Sequence, residues 1–166
     1  MQAHRSSGIS ILEILIVIAM LGVVFAIGFQ MYPRDRILVN QAVERFERDL
    51  QRSRFNAISY NTEVLFEVVY EAAGAPATTY RAVPDPGAVA VQRAAFTVDL
   101  AREGHGGVVI APNTGQCVGP AGTGQWTFDA RGVGRTDGVT RVTFRHAATG
   151  FEVSMCVNGY GRVERQ

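Results

Sequence analysis

The feature that most limits what this chain can fold into is an apolar run from Ile9 to Phe29, in which only Ser10 and Glu13 are clearly polar. About twenty helical residues rise roughly 30 Å, the thickness of one hydrocarbon core. The run is therefore expected to form a helix able to span a bilayer. Glu13 needs a reason, because a carboxylate inside a membrane helix costs on the order of 2 to 3 kcal/mol and calls for a partner. It lies about one helical turn after Ile9. Were the chain cut after Gly8, the new amine on Ile9 would be that partner. Two plainer readings compete: an ordinary secretory signal with Val24, Phe25 and Ala26 at a small-residue cleavage site, and an uncleaved anchor. An acid within the apolar core disfavours both.

Gly8, an apolar residue, Ser10, two aliphatics and then Glu13 resemble the start of type IV pilins and type II secretion pseudopilins. The family usually has Phe where this chain has Ile9, at a position where cleavage is tolerant. The resemblance implies that residues 1–8, with basic His4 and Arg5, are a leader removed by a prepilin peptidase on the cytoplasmic side. It implies that the amine on Ile9 is methylated, and that Glu13 pairs with the amine of a neighbouring subunit during filament assembly. His4 and Arg5 also favour an inside N-terminus. The expected location is the inner membrane, single-pass, in contact with lipid, with the remainder outside the cytoplasm and then in a pilus or pseudopilus.

The chain has 166 residues. Without the leader and a long helix roughly 100 remain, which is one domain. The 16 basic residues are all Arg and stand against 15 acids, for a net charge of +1. Arginine suits bidentate recognition of phosphate or carboxylate, but genomic codon bias is the favoured account of it. In an extracytoplasmic compartment Cys117 and Cys156 are expected to pair, which the chain-entropy picture values at roughly 4 kcal/mol.

The periodicity divides the chain into the leader 1–8, a membrane helix 9–29, an amphipathic continuation 30–61 and a β domain 62–166. Gly22 and Gly28 lie within the first helix, and Pro33 marks a kink or a fresh start. Val39, Val43, Phe46 and Leu50 recur at helical spacing, with Ala42, Ala57 and Ile58 near the same stripe. Glu44 with Arg48 and Arg45 with Asp49 lie four apart on the face expected to be solvated. Beyond Asn61 the period changes. Segments 63–70, 78–83, 96–100, 108–111, 125–129, 139–146 and 151–157 read as strands. Residues 113–124 read as loop. Thr140, Val142 and Phe144 alternate with Arg141, Thr143 and Arg145, the mark of a half-buried strand. One helix followed by strands without βαβ units predicts an α+β fold, a long helix packed on an antiparallel sheet domain.

Further stretches resemble the GspH/FimT branch of minor pseudopilins. These are the segment from Asp49 to Ile58 followed by Asn61 and Val64, the segment from Trp126 to Gly132, and the closing Gly161, Arg162 and Val163. The implied function is a minor pilin or pseudopilin, with other subunits of the filament as partners. No catalytic role is expected. His4, His105 and His146 lack zinc-ligand spacing, there is no Lys for a phosphate loop, and a disulfide would consume Cys117 as a nucleophile. No cofactor is expected. From Arg131 onward six arginines face Asp137, Glu152 and Glu164. The resemblance to the FimT side implies an alternative reading, a receptor for double-stranded DNA in natural transformation. Arg141, Arg145, Arg162 and Arg165 would then be the contacts. Glu164 stands where that branch has a second arginine. On this reading the tail is a terminal arm able to reach a phosphate backbone.

Overall fold

The computed structural model describes residues 10–30, 33–72, 74–85, 95–111, 117, 124–135 and 138–165, with backbone alone for 27–30. Two compact units result, residues 1–34 and 35–166. The leader and the cut site expected between Gly8 and Ile9 lie outside the described residues.

In the first unit, helix α1 runs Ile11–Gln30. Ser10 caps it: its hydroxyl accepts the Leu12 N–H at 3.3 Å, and its carbonyl accepts the N–H groups of Glu13 and Ile14 at 3.0 and 3.3 Å. Ser10 and Glu13 thus stand at the two positions of a capping box, where acid also meets the positive end of the helix dipole. The described side chains from Ile11 to Ala26 are all exposed. Among the described residues no helix is long and apolar enough to cross a membrane. The α1 side chains described stop at Ala26, roughly 24 Å of rise from Ile11.

In the second unit, α2 spans Arg34–Ser59, directly after Pro33. Proline has no N–H to give, so a helix begins after it without losing a bond. Val39, Ala42, Val43, Phe46, Leu50 and Ala57 are fully buried, as their spacing requires. Eight strands follow: β1 Val64–Val69, β2 Thr79–Pro84, β3 Phe96–Asp99, β4 Val108–Ala111, β5 Gln125–Phe128, β6 Val139–His146, β7 Glu152–Asn158 and β8 Val163–Arg165. They form two four-stranded sheets, ordered β3-β2-β1-β5 and β4-β6-β7-β8. Every pairing is antiparallel.

Phe46 of α2 joins the sheets from within. Its ring meets Phe66, Tyr80, Trp126 and Phe144 edge-on, with centroids 5.1–6.1 Å apart. Such edge-to-face pairs add about 0.5–1.5 kcal/mol each beyond the area they bury. Ala77 and Ile110 exchange two backbone hydrogen bonds at 2.8 and 2.7 Å and tie the sheets together at one side. Cys117 is bonded to Cys156, as expected, with their Cα atoms 6.0 Å apart. This fastens the segment before β5 to the face of β7 opposite the core.

Of the two readings of Pro33, the described residues have a fresh start: α2 follows it and ends at Ser59, with Asn61 in a left-handed turn at φ 49°. Three expectations are corrected. Ile58 is 48% exposed and does not belong to the buried stripe. Asp49 is not solvated: it is 9% exposed, and its Oδ2 accepts the Tyr80 hydroxyl at 2.7 Å. Burial, and then that bond, push the Tyr80 hydroxyl well above its ordinary pKa. Last, the terminal tail is a strand as far as Arg165. Residues 163–165 pair with β7, Val163 against Val157 and Arg165 against Met155.

Candidate assembly and basic surfaces

Of the three residues expected to carry processing and assembly, the structure describes Glu13. It sits in the first turn of α1, exposed. It is the one charged residue from Ile11 to Gln30.

The four arginines expected to form one strip are divided by the sheet. Along β6, Arg141 and Arg145 share the outer face, while Thr140, Val142, Phe144 and His146 are buried. Arg141 is half-buried and donates to the Ser154 hydroxyl at 3.3 Å. Arg145 is exposed and lies opposite Glu152 on β7. Arg165 is in register with Met155, which is fully buried, so it belongs to the inner face. There its guanidinium makes two hydrogen bonds to Glu47 of α2, both 2.9 Å. These bonds hold Arg165 above its ordinary pKa and clamp the last strand to the helix. Arg162 is 77% exposed at its side chain and lies 3.8 Å from Glu164. The turn before it is held by Asn158, whose Oδ1 accepts the N–H groups of Tyr160 and Arg162 at 3.0 and 2.9 Å.

What the sequence did not reveal is a surface at the end of the domain where α2 stops. Glu47, Gln51, Arg54 and Ile58 follow one another along a flank of α2, at spacings of three and four. Beside that flank a groove of about 740 Å³ is lined by Glu47, Gln51 and Arg54 on one side and by Tyr160, Arg162 and Arg165 on the other. Gln51 donates to the Gly161 carbonyl at 3.4 Å. Next to it stands the turn after β5. Asp129 there accepts the N–H groups of Arg131 and Val133, both at 2.9 Å, and faces Arg131 and Arg135 at 3.6 and 3.5 Å. The Val133 bond first, then the Arg131 bond and the two arginines, hold the Asp129 carboxyl below the usual carboxylate range. Gly132, at φ 73°, packs against Ile58. The signal available in the sequence was the stretch from Trp126 to Gly132, whose Asp and Gly are the turn-formers this geometry uses.

A second polar cluster joins α2 to the β3–β4 connection. Arg45 bonds Glu103 at 3.1 Å and lies 3.6 Å from Asp49. His105 beside it is 8% exposed, and burial and then Arg45 lower its pKa. Among the described residues no group of His, Cys, Asp and Glu could hold a metal ion.

The fold is similar to the crystal structure of the type IV minor pilin FimU from Pseudomonas aeruginosa strain PAO1. The TM-score is 0.50 at 15% identity, over 79% of this chain and 90% of that one. No curated protein matches the chain. A family model described as type II transport protein GspH matches residues 42–161. That match takes in α2 from Ala42 on, strands β1 to β7 and the turn that carries Tyr160, so the chain belongs to the GspH family of pilin-like transport proteins.

Proposed function

We propose that this protein is a minor pilin or pseudopilin made as a precursor, cut between Gly8 and Ile9, and methylated on the new amine. Residues 9–29 hold it in the inner membrane as a single span, in contact with lipid, with residues 35–166 outside the cytoplasm, until it enters a filament of related subunits. The observation that carries this reading is Glu13: a lone charge in the first turn of an exposed apolar helix, one turn from the amine that cleavage would create. Membership of the GspH family and the pilin-like fold support it.

In the precursor Glu13 sits near the cap of α1, where the helix dipole lowers its cost. After cleavage, the free amine of a neighbouring subunit gives it an opposite charge in a low-dielectric setting. Such pairing is strong where water is scarce. The test uses two variants in the native host. Gly8→Val is expected to leave the leader attached, read as the mass of the N-terminal peptide. Glu13→Ala is expected to be cut normally but to fall at least about tenfold in the sheared filament fraction, since an unpaired amine in lipid costs several kcal/mol. Normal incorporation of the processed Glu13→Ala protein would remove the role given to the acid.

A further inference from the structure

Among the described residues of the second unit, the large apolar side chains left exposed are Phe55, Ile58, Tyr60, Val133 and Tyr160. Singly such residues mean little. Here the fold gathers them at one end. Phe55 and Ile58 are three apart on α2, and Tyr60 follows its last turn. Gly132 packs on the side chains of Ile58 and Arg54, which sets Val133 beside them. Gly134 lies against the backbone of Gly159 and Tyr160. Tyr160, 68% exposed, shares the groove with Arg54. The close approaches at Gly132 and Gly134 therefore bring Ile58, Val133 and Tyr160 together where the end of α2 meets two turns, and a grouping of exposed apolar residues marks an interaction site.

The rim of this surface is basic. Arg54, Arg131, Arg135, Arg162 and Arg165 stand against Glu47, Asp129 and Glu164. Glu47 is taken by Arg165, and Asp129, 7% exposed, is turned inward to its own backbone. No described acid pairs with Arg54. We propose that this end of the domain docks an acidic segment on another subunit of the same filament. An apolar side chain of that segment lies on Ile58, Val133 and Tyr160, and its carboxylates meet Arg54 and Arg131. The proposal rests on the filament reading above. A protein fits better than a nucleic acid, because Ile58 and Val133 offer nothing to a phosphate backbone.

The experiment places a photoreactive benzoylphenylalanine at Tyr160 in the full chain, in its native host, and at Arg48 on the outward face of α2 as a comparison. Adducts are mapped by mass spectrometry, with and without nuclease, and filament incorporation is measured in the same cells. The expected result is a nuclease-resistant adduct from position 160 to an acidic stretch of another filament subunit. Arg54→Glu lowers its yield by roughly fivefold or more, and Arg48→Glu does not. Incorporation with no adduct at 160, a nuclease-sensitive adduct, an adduct to a basic or neutral stretch, or equal loss with both variants overturns the docking proposal while leaving the filament reading in place. Loss of incorporation by the unsubstituted chain itself overturns the filament reading, and the docking proposal with it.

Discussion

Asp129 concentrates two backbone hydrogen bonds and two arginines on one carboxylate, and its ionisation is coupled to folding. Its folded pKa lies below the ordinary carboxylate value, chiefly through the Val133 N–H. A depressed acid stabilises the fold fully above its unfolded value, near 4, and that contribution is lost as pH falls through the folded value. Asp129→Asn keeps one acceptor for the backbone but removes the charge. The variant is expected to be less stable than the wild type at pH 7, with the gap closing below about pH 4. Urea midpoints measured at pH 7 and pH 3 check this. A gap as wide at pH 3 as at pH 7 would assign the effect to shape and not to charge. Asp49 is a different case. It sits in the core and receives the Tyr80 hydroxyl, so it acts as a buried acceptor joining α2 to β2.

At the scale of elements, the turn after β5 and the β7–β8 turn meet with almost no space between them. A Cβ on Gly134 would run into the Gly159 carbonyl oxygen, and one on Gly161 would meet Phe128 at 2.8 Å. Gly134→Ala forces backbone against backbone, where neither side can rotate away. It is expected to destabilise by about 1–3 kcal/mol, the range for overpacking, read as a lower denaturation midpoint with the disulfide intact. An unchanged midpoint would mean that the two turns separate freely. These contacts also mark where sequence reading stopped. The α2 stripe and the alternation of β6 were legible because each repeats at the period of its element. Strand β8 was not, since three residues show no period and two of them are charged; its pairing with β7 defines it. Ile58 looked like a stripe member but is turned about 100° from Ala57, enough to leave the buried face. The burial of Asp49 depends on Tyr80, 31 residues away, and no local pattern shows that. The end surface was invisible for the same reason, since three separate segments make it.

Across the whole molecule, the arrangement of charge decides between a filament subunit and a DNA receptor more directly than its total. The net charge is +1, and the basic residues of the second unit are spread over both faces of the second sheet and both flanks of α2. Many are engaged: Arg165 with Glu47, Arg45 with Glu103 and Arg81 with Glu67. Arg36 and Arg52 lie over the rings of Phe151 and Phe96. A duplex needs several free cations along one track. Each phosphate neutralised releases counterions and steepens the dependence of affinity on salt by about 0.9 in the log–log slope. Arg141 and Arg145 share a face, but Arg165 lies on the other side of the sheet and would have to leave Glu47 to join them. Full-length protein in detergent, titrated with duplex DNA between about 50 and 200 mM salt, is therefore expected to show weak binding with a slope near one. Arg165→Ala is expected to leave that slope unchanged while lowering stability, because it frees β8 from α2. A slope of three or more, reduced by Arg145→Ala and Arg162→Ala together, would show that separate faces can be bridged by one duplex. The DNA-receptor reading would then stand beside the structural one.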